Sequence, residues 1–138
     1  MQFTTINYLA VVVAALATFL IGALWYSPLL FAKQWMKAHG YSEEKLKEMQ
    51  KSALPAYLVS LASYFVMAYV LAVFIVNMNI TGAGDGMTVG FLAWLGFAAT
   101  IGLTANMFSE KKIATYYIDA SYQLVYLLAM GAILGAWR

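Results

Sequence analysis

At 138 residues the chain is one domain at most, and its composition, 64% hydrophobic with 10% charged residues, lies far from a soluble average of about half apolar and a quarter charged. The net charge of +2 is too small for a nucleic-acid footprint. With no cysteine there is no disulfide framework, thiolate metal site or thiol nucleophile, so a soluble globular enzyme is not what this sequence describes.

Four apolar stretches are each long enough to cross a hydrocarbon core, which takes about 20 helical residues. The first runs over 7–26. No Lys or Arg precedes it, its apolar run is long for a secretory signal and no small-residue cleavage site follows, so it is expected to be a retained helix. Trp25 and Tyr26 at its end are ring types that favour the headgroup level. Asn7, Ala14, Thr18 and Gly22 fall along one side and suit close packing.

An elbow over 28–52 follows. In "SPLLFAKQWMKAHG" Ser27 can cap, Pro28 fits a first helical position and Gly40 suits the residue after a last turn. Leu29, Ala32, Trp35 and Met36 recur at helical spacing with Lys33 and Lys37 on another side, the pattern of an amphipathic helix in the membrane interface. A second short helix is expected after it, capped by Ser42, with Glu43 and Glu44 at the positive end of its dipole. His39, the only histidine, reads as a surface residue near a helix end, with no standard metal-ligand pattern around it.

The second span is expected over 55–77, with Ser60, Ser63 and Tyr64 along one side. The turn "NMNITGAGDG" lacks the glycine spacing and preceding strand of a nucleotide loop, and Asp85 is expected to cap the third span, 87–108. Thr100 and Thr104 line a side of that span. Seven of the eight basic residues, Lys33, Lys37, Lys45, Lys47, Lys51, Lys111 and Lys112, lie in the first and third connections; the eighth is Arg138. The positive-inside rule places those connections in the cytoplasm and both termini outside.

The fourth span, 113–137, carries the residues most in need of explanation. At 100° per residue Lys112, Tyr116, Asp119, Tyr122, Gln123 and Tyr126 share one side. A charged Asp at a helix centre costs about 2.5 to 3.5 kcal/mol on insertion scales. Asp119 lies about 10 Å along the axis from Lys112, at 1.5 Å per residue, near enough for a snorkelling lysine to approach. Three readings stand: an interhelical hydrogen bond or ion pair, a proton or ion pathway, and a polar anchor for a small lipophilic ligand. On a different side Gly131 and Gly135 form the small-xxx-small spacing of close helix packing or of a subunit contact.

The segments "INYLAVVVAALATFLIGALWYSPLLFAKQWMK", "FLAWLGFAAT" and "YYIDASYQLVYLLAMGAILGAW" resemble the small four-helix bacterial membrane proteins of domain-of-unknown-function family seventeen-sixty-one. The likeness spans essentially the whole chain and is most specific in "GALWYSPLLF" and "MGAILGAW". It implies a Trp-Tyr-small-Pro exit from the first helix, here Trp25, Tyr26, Ser27 and Pro28, and either Asp or Asn at position 119. It implies no established activity, cofactor or catalytic residue.

The expectation is therefore an all-α, four-span bundle in a bacterial inner membrane, with an amphipathic elbow between its first two spans and neither cofactor nor metal. Its partners would be the lipid bilayer and a second copy or another membrane protein, meeting on the Gly131/Gly135 side. The leading role is non-enzymatic, structural or accessory. A small channel or proton-coupled transporter built on Asp119 is the alternative.

Overall fold

The computed structural model describes residues 1–138 as an all-helical chain. The helices are α1 (Tyr8–Trp25), α2 (Ala32–His39), α3 (Glu43–Lys51), α4 (Leu54–Asn77), α5 (Ala83–Ala93), α6 (Ala99–Phe108) and α7 (Ile113–Ala136). A π-helical segment, Trp94–Ala98, joins α5 to α6, so that α5, this segment and α6 form one continuous span. With α1, α4 and α7 this gives four helices long and apolar enough to cross a membrane.

The spans are arranged around α7, which packs against α5, α1, α4 and α6 in turn, while α1 and α4 also pack against each other. Small residues make this possible. Ala10, Ala14 and Ala15 of α1 and Ala68 and Ala72 of α4 are buried, so these helices close on one another with little side chain between them. Against α5 the approach is closer still. A Cβ built on Gly86 would lie 2.0 Å from the Gly131 carbonyl oxygen, and one on Gly90 would lie 2.1 Å from that of Leu127. The Gly82 N–H donates to the Gly135 carbonyl oxygen at 2.8 Å.

This packing corrects two expectations. The Gly131/Gly135 side is filled within the chain by Gly82 and Gly86 at the start of its own third span, so a second copy cannot dock there. The third span also begins at Ala83, before the expected Met87, with Gly82 as its capping residue and no side-chain cap. Asp85 lies in the first turn, where the dipole favours it, but does not cap. The turn-like glycines had masked the helix start, yet glycine is what α7 requires on that face.

The π segment keeps the third span in register with α7. Gly82, Gly86, Gly90 and Trp94 follow one another at four-residue intervals; the next contact, Ala99, comes after five, and Asn106 then lies buried against the start of α7. One extra residue in the turn corrects the drift that a straight α-helix would accumulate.

The two ends of the bundle differ. At the end remote from the elbow, Gln2 and Asn77 exchange two hydrogen bonds, at 2.7 and 2.9 Å, and the Arg138 guanidinium donates to the Ile80 carbonyl at 2.8 Å. Asn7 caps α1 by accepting from the Ala10 N–H at 3.1 Å and donates to the Trp137 carbonyl at 3.3 Å. Most of the buried core lies in this half, in Ile6, Ala10–Thr18 of α1, Ala68–Val76 of α4 and Tyr126–Gly135 of α7, with Tyr122 buried where it meets the elbow half. Toward the elbow, α1 beyond Thr18 and α4 before Ala68 contain no buried residue, and clefts open between them.

The elbow begins with a turn in which Ser27 Oγ donates to the Leu24 carbonyl at 2.6 Å and accepts from the Leu29 N–H at 3.3 Å. Its first helix therefore starts at Ala32, later than Pro28 had suggested, and ends on Gly40, whose φ of +71° is the left-handed cap that favours glycine. Ser42 caps α3 by accepting from the Lys45 N–H at 3.1 Å.

Candidate functional site

Asp119 sits two turns into α7 at the open end. Its Oδ1 accepts a hydrogen bond from the Tyr26 hydroxyl at 2.6 Å. The partner is thus the residue that ends α1. The Thr18, Ser63, Thr100 and Thr104 hydroxyls, candidate donors by helix face, each bond a carbonyl one turn back in their own helix. A hydroxyl in a helix has that acceptor at hand and satisfies itself there.

Two tryptophans fix the azimuth of α7 around the acid. Trp25 Nε1 donates to the Ile118 carbonyl at 3.1 Å, and Trp94 Nε1, from the other flank, donates to the Ala120 carbonyl at 2.8 Å. The residues on either side of Asp119 are thereby held by α1 and by the π segment. Trp25 stands at the end of α1, and its indole reaches inward to α7.

Tyr122, one turn further along, is the hub of an aromatic cluster. Its ring lies 5.4 Å from Tyr26, 4.9 Å from Tyr126 and 6.3 Å from Trp25, between centroids. Its hydroxyl donates to the Thr18 carbonyl at 3.0 Å and lies 3.1 Å from that of Tyr64. A phenol has one proton, so Tyr64 is the donor in the second bond. Gly22 faces this hydroxyl: a Cβ there would lie 2.6 Å from it. Tyr126 packs 5.7 Å from Tyr64, and its hydroxyl makes a long contact of 3.9 Å to Met67 Sδ.

Around the acid lies a cavity of about 560 Å³, with Tyr26, Trp35, His39, Lys111, Asp119 and Gln123 in its wall. Tyr64, Tyr122 and Tyr126 complete it. The lysine is Lys111, not Lys112. Lys112 precedes α7, and its carbonyl accepts from the Thr115 hydroxyl and, at 3.5 Å, from Asn106 Nδ2. Tyr116 also turns aside, donating to the Ala99 carbonyl at 2.9 Å; it lines a smaller polar cavity of about 150 Å³ between α6 and α7, which Asp119 and Gln123 share. Of the expected set, Asp119, Tyr122, Gln123 and Tyr126 come together, whereas Tyr116 and Lys112 bond elsewhere. Tyr26, Trp35, Tyr64 and Lys111 complete the group.

The elbow roofs this end. Trp35 packs 6.1 Å from Tyr26 and 4.3 Å from His39, which stacks on Tyr41 at 4.9 Å. Ala32, Trp35 and Met36 face Pro28, Leu46 and Met49 across a cavity of about 610 Å³, while Lys33 and Lys37 are exposed. The apolar side of α2 thus covers the bundle's own clefts, which changes the picture of a helix lying flat on lipid.

His39 Nε2 is shut off from water without a hydrogen-bond partner. Burial lowers its pKa from the ordinary 6.5, with Lys111 acting in the same direction and Asp119 against both. The folded state therefore favours the neutral ring. The stability this contributes is complete above the unfolded value near 6.5 and is lost as the pH falls from there toward the lower folded value. Lowering the pH from about 7.5 to about 5.5 is expected to reduce hydrogen-exchange protection factors in α2, and His39→Gln to flatten that dependence. Equal protection at both values in the parent protein would show that His39 does not control the elbow.

The DUF1761 family model, described as a protein of unknown function, matches residues 9–135. The chain belongs to this family. No curated protein and no solved structure matches it. The DUF1761 match runs from the second residue of α1 almost to the end of α7, so the acid, its tyrosine partner and the elbow all lie inside the family's own boundaries.

Proposed function

We propose that this DUF1761 protein is a non-enzymatic accessory protein of a bacterial plasma membrane, acting by packing its helices against a partner or a second copy. The observation that carries this reading is the sealed end. Backbone and side-chain hydrogen bonds close the bundle over its buried core remote from the elbow, and the cavities around Asp119 lie at the other end. With its glycine face already filled, a partner would meet another apolar surface, such as the groove between α4 and α6 bounded by Val66, Val70, Phe97 and Ile101.

The lysine-rich connections meet at the elbow end, which supports a cytoplasmic elbow and outward termini. The chain has no native cysteine, so single cysteines report this directly. Met78→Cys, at the sealed end, is expected to react with an impermeant maleimide in intact cells, and Lys47→Cys only after lysis. The reverse pattern would invert the topology.

One observation favours the transport alternative: a cavity does reach Asp119 from the elbow end. Proton and cation flux in proteoliposomes separates the two readings. Neither the parent protein nor Asp119→Asn is expected to raise flux above that of empty liposomes. Flux that is present in the parent and lost in a well-folded Asp119→Asn would replace the accessory role with a pathway through this residue.

A further inference from the structure

Beyond its packing role, we propose that the cleft at the elbow end binds a lipophilic organic cation drawn from the bilayer, with the charge beside Asp119 and the apolar body between α1 and α4. The Tyr26 hydroxyl engages Oδ1 of Asp119, which leaves Oδ2 free to face a cation. The rings of Tyr26, Trp35, Tyr64, Tyr122 and Tyr126 share the wall of the same cavity. A carboxylate among aromatic faces is the environment that stabilises an organic cation, by charge and by the ring quadrupoles, and it does so more strongly away from water.

The site has an apolar arm. A second cavity, of about 600 Å³, lies between α1 and α4, walled by Phe19, Gly22, Ala23, Tyr57 and Ser60. Tyr26, Tyr64 and Tyr122 line both cavities, so the two are neighbours across the same three rings, and a head in one and a body in the other would lie on either side of them. This arm lies where the two helices carry no buried residues, and Leu20, Leu24 and Leu58 beside it are exposed on the membrane-spanning surface. Entry from the bilayer brings a cation to Asp119 from the α1–α4 side. Two basic groups share the wall of the acid's cavity: Lys111, on the exposed α6–α7 turn, and His39, under the elbow. Charge complementarity with a half-buried acid, rather than with an exposed lysine, selects the cation.

Tetraphenylphosphonium and tetraphenylborate have one shape and opposite charge, and they separate this proposal from simple partitioning. With the purified full chain in maltoside micelles, equilibrium dialysis and tryptophan fluorescence are expected to show saturable binding of the phosphonium, one per chain, and none of the borate. Asp119→Asn keeps an acceptor for Tyr26 and should weaken binding about tenfold or more. Ala23→Phe fills the exposed apolar arm without touching the acid and should weaken it as well. Equal uptake of both ions, preference for the borate, or parent-like binding by Ala23→Phe or by a folded Asp119→Asn would overturn the proposal. If Asp119→Asn does not fold, Ala23→Phe decides. Failure of cation binding would leave the packing role in place, because that role requires no ligand.

Discussion

Gly131→Ala and Gly86→Ala are each expected to destabilise the bundle by about 3 kcal/mol or more, although either change adds only one methyl group. The added Cβ meets backbone in both directions: 2.1 Å from the Gly86 carbonyl oxygen in the first variant, 2.0 Å from the Gly131 carbonyl oxygen in the second. Backbone has no rotamer in which to retreat, so α5 must move away from α7. That movement would also pull the Gly82 N–H from the Gly135 carbonyl. Gly84→Ala is the control, since nothing lies within 4 Å of its Cβ, and better helix propensity should leave it neutral or slightly stabilised. Thermal unfolding in detergent measures all three; parent-like melting of Gly131→Ala would show that α5 and α7 are not in this contact.

Tyr122→Ala should cost about 3 to 5 kcal/mol, in the range of large aromatic deletions from a packed core. The side chain is 6% exposed and touches three other aromatic rings. Tyr122→Phe keeps the rings and loses only the hydroxyl, which removes the bond to the Thr18 carbonyl and leaves Tyr64 without its acceptor, at about 1 to 2 kcal/mol. The ratio of the two losses is the test. Equal effects would place the stabilisation in the hydroxyl network, and a small effect of Tyr122→Ala would mean that the elbow half is not packed as described.

The four spans, the short helices of the elbow, the Ser42 cap and the Gly40 stop follow from apolar length, capping chemistry and glycine conformation, all of which act within a few residues of the signal. What sequence could not supply was the partner of each face. Gly131 and Gly135 announce a close approach, but periodicity says nothing about which helix makes it. The answering residues, Gly82 and Gly86, stand at the same four-residue spacing in a stretch that reads as a turn. That spacing was the available signal.

At the candidate site the acid was visible because a carboxylate in an apolar helix is costly. Its partner was not, because Tyr26 lies at the end of α1, where helix-face arithmetic no longer places side chains. The exchange of Lys112 for Lys111 has a similar origin: Lys112 belongs to the backbone turn that starts α7, so extending the helix backward through it assigns the wrong direction. The π segment left no local signature, since its effect is to realign Ala99 and Asn106 with a separate helix, α7.

The central position of α7 also constrains biogenesis. The ribosome delivers α1, α4 and the α5–α6 span to the membrane before the helix against which all three pack. Until then α5 has few neighbours within the chain, and its glycine face, which lacks side chains to occupy lipid, is left open to the bilayer. α1 and α4 can pair at once through their alanine faces, whereas the α5–α6 span must wait as a loosely held helix, tied to α4 by the short turn at 78–82. Assembly is completed by a late insertion that sets the acid, the tryptophan anchors and the glycine seam together in a single step.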